Sequence, residues 1–281
     1  MKNRMLRILM STYNGERYLA EQLDSIIAQT YTDWCLTVRD DGSTDGSLAI
    51  LEDYVKKDKR ISILSDGENL GACKSFERLL TQCGEADYYA FADQDDVWKP
   101  EKLSLSIDAM RKAQKEYPDK PIVVHTDLQV VDQSLQPTAP SFWQYGGINP
   151  DILDTNIHFI AICNSVTGCA MIMNRAAREV ALPFPPNVFM HDAWIAIAVL
   201  AAGGKVIPVP QTTIYYRQHT DNVCGAQHYR FRLNNLQEKW HFAQHSYQTG
   251  HPLVFGNKLH FLWWKTVYFF VLHSYRLCHR V

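Results

Sequence analysis

The first hundred residues carry short apolar runs that stop at polar loops and resume as amphipathic stretches. Leu6–Met10 is an apolar run that ends at Ser11-Thr12-Tyr13-Asn14-Gly15, after which Leu19, Leu23, Ile26 and Ile27 recur at helical spacing. Trp34–Arg39 alternates as a strand and ends at Asp40-Asp41-Gly42-Ser43-Thr44-Asp45-Gly46, followed by a helical pattern through Leu48, Ile50, Leu51 and Tyr54. Ile61–Leu64 is closed by Asp66-Gly67-Glu68-Asn69-Leu70-Gly71, with Phe76, Leu79 and Leu80 on the next helix, and Tyr88–Ala92 runs into Asp93-Gln94-Asp95-Asp96. Successive βα steps of this kind predict parallel strands joined by right-handed crossovers. Every polar loop then falls at a strand's C-terminal end, the edge where open α/β sheets bind ligands.

Beyond Trp98 the pattern becomes mixed. Pro100 suits a first helical turn and Leu103–Met110 continues as a helix. Ile122–His125 and Leu128–Val131 read as two strands, Pro137–Pro150 as a mobile loop, and Val166–Met173 as an apolar, β-prone run despite Gly168. A short helix, Arg175–Ala181, precedes a proline cluster; an apolar helix, Ala193–Ala202, ends at Gly203-Gly204. Val206–Val209 and Thr212–Tyr216 read as further strands. The expected organisation is an α/β domain over 1–225, with a nucleotide-type half at 1–100 and an acceptor half at 101–225, and a C-terminal helical extension over 226–281.

Composition narrows the class. The 281 residues suffice for one large α/β domain with an appendage, and 28 basic against 30 acidic side chains give a net charge of -2, so no global basic field recruits nucleic acid. Seven scattered cysteines without a CxxC pair suit a reducing cytoplasm. The apolar run at Met5–Met10 is too short for a signal peptide, and no stretch of about 20 apolar residues exists to span a bilayer. The expectation is a cytoplasmic protein.

Several loops carry candidate chemistry. Three clustered acids, Asp93, Asp95 and Asp96, repel one another and need water, a donor or a cation; a hard divalent ion that also holds a diphosphate would satisfy them, and a solvated acidic turn is the alternative. A carboxylate in Asp40-Asp41-Gly42-Ser43 can accept the N3–H of a pyrimidine while the glycine permits close approach, although the same residues are good helix caps. Ser11 to Asn14 offer hydroxyls and an aromatic face to a base or ribose, or simply a turn. His191-Asp192 lies directly before an apolar helix whose dipole keeps the carboxylate ionised, as a general base or as a cap. His219 could ligate a cation or cover a phosphate, or do neither.

Taken together and in this order, these loops, with Asn69-Leu70-Gly71 and Tyr216-Arg217-Gln218-His219, resemble family 2 glycosyltransferases with the GT-A fold over about residues 6–222. The resemblance implies a nucleotide-sugar donor, a divalent cation (Mn2+ or Mg2+) and inversion at the anomeric carbon. Carried over by position, Ser11, Tyr13, Asp41, Asn69 and Asp93 would bind the donor, Asp95 and His219 the metal, and Asp192 would be the base. Gly168, Cys169 and Trp194 would form the acceptor wall. The chain departs from the commoner Glu-Asp pair by carrying His191, which leaves the carboxylate in place but could raise or lower its basicity. The run Tyr216-Arg217-Gln218-His219-x-x-Asn222-Val223-x-Gly225 looks most like polysaccharide rhamnosyltransferases that use dTDP-L-rhamnose, with UDP-hexose donors left open.

The segment Leu259 to Leu272 is dense in aromatics and flanked by bases, with no acid from Lys258 to the end. It reads as an interfacial helix at the inner membrane surface, suited to a lipid-linked saccharide acceptor, or as a helix packed on the domain or in a homodimer contact. Two rivals stand beside the enzyme reading. One is a nucleotide-sugar-binding protein without catalysis; the other is a metal phosphohydrolase, which lacks the clustered ligands of a two-metal site.

Overall fold

The computed structural model describes residues 6–64, 66–220, 222, 226, 236–251 and 253–279. Val223 and Gly225, and the domain boundary expected at 225, lie outside the described residues. The chain opens as β1 (Leu6–Thr12), α1 (Leu19–Ile27), β2 (Trp34–Asp40), α2 (Ser47–Lys57), β3 (Ile61–Leu64), α3 (Ala72–Gln82) and β4 (Tyr88–Ala92). Here β1 pairs in parallel with β2 and β4, and β2 with β3. These are the βα steps read from the sequence.

The rest comprises β5 (Val97–Trp98), α4 (Lys102–Glu116), β6 (Ile122–Val131), β7 (Pro137–Ala139), α5 (Phe142–Gly146), α6 (Pro150–Leu153), α7 (Ile157–Ile162), β8 (Met171–Asn174), α8 (Arg175–Ala181), α9 (His191–Ala201), β9 (Lys205–Arg217), α10 (Leu236–Gly250) and α11 (Lys258–His279). The strands form one mixed sheet in the order β3-β2-β1-β4-β8-β6-β9-β5, with β7 beside β6. β8 runs antiparallel to both β4 and β6.

Strand residues alternate between two apolar layers, as the pleat requires. Ile8 and Met10 pack with Leu23 of α1, Leu51 of α2 and Ile107 of α4, whereas Leu9 and Phe91 pack with Phe76 of α3, Ala177 of α8 and Ile195 of α9. Helices thus cover both faces and leave the strand ends for the site.

Four sequence expectations change. Ile122–His125 and Leu128–Val131 are one strand, because the intervening Thr126 and Asp127 are buried with partners: Thr126 pairs with Thr213 of β9 at 2.6 Å, and Asp127 accepts from Ser141 Oγ and from Trp143 N–H at 3.1 Å. Those bonds also order Pro137–Pro150, the expected loop, into β7 and α5, with Ser141 capping α5 at 3.0 Å. The β9 strand runs unbroken through Pro208 and Pro210. Gly168–Ala170 coils as a 3-10 turn, so only Met171–Asn174 remains strand. Helices α6 and α7, which the sequence reading did not anticipate, pack on each other, and α7 packs beneath α10 and α11, with Phe255 and Phe261 buried near that junction.

Candidate active site

The strand-end loops of β1, β2 and β4 are tied to one another by side chains. Ser43 Oγ accepts from Asn14 N–H (2.9 Å), Ser47 Oγ from Gly15 N–H (2.8 Å) and Asp45 from Glu16 N–H (3.0 Å). Gln94 acts like a segment of backbone: its Oε1 accepts from Tyr13 N–H at 2.8 Å and its Nε2 donates to Tyr13 O at 3.1 Å. Asp40 accepts from Ser43 N–H at 3.0 Å and closes its own turn. Asp41 instead accepts from the N–H groups of Leu70 and Gly71, both at 2.8 Å, and from Arg39.

Arg39 is wholly buried, and its guanidinium also pairs with Asp66 and donates to Ser75, which in turn pairs with Ser11 at 2.6 Å. The sequence reading missed Arg39; its signal is a charged side chain inside an otherwise apolar strand. Ser11, Tyr13, Asp41, Asn69, Gly71, Phe76, Asp93 and Asp95 line one cavity of about 390 Å3, which unites all five residues expected to bind a donor.

At the floor of this cavity the three acids separate. Asp95 Oδ2 lies 2.7 Å from His219 Nε2, and Asn222 Nδ2 approaches the same oxygen at 3.4 Å. A carboxylate oxygen and an imidazole nitrogen that converge beside open space suit a divalent cation. Arg217 is the clamp behind them. It donates to the Asp95 and Gln133 carbonyls (2.7 and 2.8 Å), pairs with Glu21, and lies 4.5 Å from the Tyr18 ring centroid.

Asp96 is fully buried and accepts from Arg217 N–H at 3.1 Å; burial and the Asp95 and Asp93 charges push its carboxyl well above the usual range. Asp93 rises to about 7 for the same reasons, burial first, then Asp95 and Asp192. Among the described residues, Asp93, Asp96 and the Cys169 thiol also converge within 4.8 Å. Yet Asp96 and Cys169 are sealed from solvent, and Lys102, its ammonium lowered to about 8 by burial, is the neighbouring cation. A thiol in such a site is a poor match for a hard ion.

Asp192 sits in the first turn of α9, where it accepts from Ala193 N–H (2.6 Å) and Gly168 N–H (2.9 Å), while burial raises its carboxyl to about 6. His191 enters a ring cluster, 4.2 Å from Phe76 and 4.8 Å from Phe91, and lines the same cavity as Asp192. Burial lowers it to about 3, so it is neutral and adds no charge beside Asp192. Gly168 is required here, because a Cβ would lie 2.5 Å from His191 Nε2.

Of the three residues expected to form an acceptor wall, Gly168 lines the first cavity. Gly168 orients Asp192 through its amide. Cys169 is wholly buried, and Trp194 packs in the core with its indole N–H donating to Ala181 O at 2.8 Å. Neither Cys169 nor Trp194 lines a cavity at the site. A second cavity of about 250 Å3 does border Asp192, and it shares Thr167, Met190, Asp192 and Tyr216 with the first. A larger cavity of about 620 Å3 lies at the opposite sheet edge, near Asp87 and Arg175, away from these groups.

A parallel βα half with a cavity at its strand ends, a carboxylate edge and an acid on the flanking helix defines the GT-A architecture of glycosyltransferases. S. aureus TarS, solved in complex with UDP-GlcNAc, shares that fold with a TM-score of 0.63 over 92% of this chain and 69% of its own, at 18% identity. The family description "Glycosyl transferase family 2" matches residues 7–180, and the chain belongs to that family. An uncharacterized glycosyltransferase of Haemophilus influenzae is 30% identical over 244 residues, 84% of this chain and 71% of that protein. The dTDP-rhamnosyl transferase RfbG of Shigella flexneri is 40% identical over 105 residues, 36% of each chain.

Proposed function

We propose that this family 2 glycosyltransferase is a metal-dependent, inverting enzyme that moves a sugar, L-rhamnose from dTDP-rhamnose in the favoured reading, onto a lipid-linked saccharide at the cytoplasmic membrane face. The observation that carries the reaction type is the position of Asp192, a buried carboxylate shared by two adjoining cavities, one of which holds the Asp41, Asp93 and Asp95 edge. The nucleotide occupies the loops of β1, β2 and α3. Asp41, fixed by Arg39 and two amides, has a free lone pair for a pyrimidine N3–H. Asp93 faces the ribose or sugar.

Asp95 and His219 would hold a divalent cation, which when bound stabilises charge on a departing diphosphate. Asp192 takes the proton from the acceptor hydroxyl as that oxygen bonds to the anomeric carbon and the carbon–phosphate-oxygen bond breaks, its electron pair leaving with the nucleoside diphosphate. A single displacement inverts the centre. The rhamnosyl choice is supported by the motif that begins at Tyr216 and by the local likeness to RfbG; a UDP-hexose is the second donor the motif allows. Thermal unfolding in the presence of dTDP- and UDP-sugars, with Mn2+, Mg2+ or chelator, tests the reading. The expected result is metal-dependent protection by one sugar nucleotide, strongest for dTDP-rhamnose; equal melting with all of them contradicts donor binding.

A further inference from the structure

The cavity on the far side of Asp192 differs in chemistry from the donor cavity. Phe142 and Ile148 from the α5 region, Ile160 of α7 and Ile197 of α9 contribute its apolar walls, and α10 closes it with His245 and Thr249. Phe189 stacks on His245 with ring centroids 4.2 Å apart. Among the described residues no lysine or arginine lines it, so a phosphate would meet no fixed cation there. Of its polar side chains, Asn164 is engaged with Val166, donating at 2.6 Å and accepting at 3.1 Å, Ser246 donates to Ile162 O at 3.3 Å, and Thr249 accepts from Phe189 N–H at 3.5 Å. A sugar bound only through hydroxyls would leave them unpaired against these walls, at a cost in affinity. Much of this lining, from Phe189 to Thr249, lies beyond residue 180, where the family match ends.

Resting on the glycosyl-transfer reading, we propose that this cavity is the acceptor subsite and that it selects an acceptor sugar by a methyl group, that of a 6-deoxyhexose or of a 2-acetamido sugar. The aromatic pair Phe189 and His245 carries the carbon face of the ring, and the attacking hydroxyl points to Asp192. Saturation-transfer NMR titrations of glucose, 6-deoxyglucose and N-acetylglucosamine test this on the full chain, because the three differ only at C6 or C2. One methyl-bearing sugar is expected to bind about tenfold or more tighter than glucose, the discrimination one buried methyl supplies, and which one it is separates the two sources.

Phe189→Ser, at a side chain 46% exposed and so tolerant of change, is expected to abolish that preference. UDP protection against unfolding serves as the fold control. Equal binding of the three sugars, no binding, or a preference that survives Phe189→Ser overturns the proposal. Sugar binding is measured without donor turnover, so a protein that shows the preference but never turns over a sugar nucleotide would refute the enzymatic reading and leave the subsite standing.

Discussion

Burial acts in opposite directions on the adjacent residues His191 and Asp192. It holds the imidazole neutral at about 3 and lifts the carboxyl to about 6, close to where a general base is effective at physiological pH. Transfer should therefore fall roughly tenfold per pH unit below about 6, as the base protonates, measured from single-turnover rates. Stability should run the other way. A carboxyl raised above its unfolded value binds its proton first in the native state, so its burden on folding is present above pH 6 and fades as pH falls toward 4. Asp192→Asn is accordingly expected to melt higher than wild type at pH 8 and to lose that advantage as pH falls from about 6 to about 4. Arg39 is the opposite kind of residue, since its loss leaves the buried Asp41 without its paired cation. Arg39→Met should cost roughly 3–5 kcal/mol in urea unfolding and weaken UDP protection.

Among the elements, the βα loops were legible because each signal is local: an apolar run, a polar stop and a helical period within about twenty residues. The second cavity was not. Its wall is assembled from α5, α7, α9 and α10, which meet only through tertiary packing. Helix α9 is apolar all round, so its period could not say that Trp194 faces the core while Ala193 faces the cavity. Gly168 was singled out for the site, but only the contact with His191 reveals why it must be glycine. The α6–α7 corner depends on a buried strut in which His125 Nε2 lies 2.7 Å from Asp154 and Ser165 donates to the same carboxylate. Asp154→Ala leaves both without a partner and should cost about 1–3 kcal/mol in thermal or urea unfolding, with acceptor affinity falling more than UDP affinity.

For the molecule as a whole, the sheet domain and helix α10 meet at the second cavity. Helix α10 lines the second cavity, and α11, packed on α7, turns Leu259 (79% exposed), Trp263 (59%) and Phe270 (63%) outward. No helix among the described residues is long and apolar enough to cross a membrane. An exposed aromatic face with nearby Lys258 suits the headgroup layer. Trp263→Ser with Phe270→Ser should reduce partition onto anionic vesicles about tenfold or more, since each buries a large apolar side chain in the interface, with melting unchanged; undiminished partition would favour protein packing instead. The central claim, that Asp192 is the base between two cavities, is tested most directly by Asp192→Asn. Sugar transfer should fall by about 100-fold to 10,000-fold while the dissociation constant for the sugar nucleotide stays within about twofold, and turnover near the wild-type rate would contradict it.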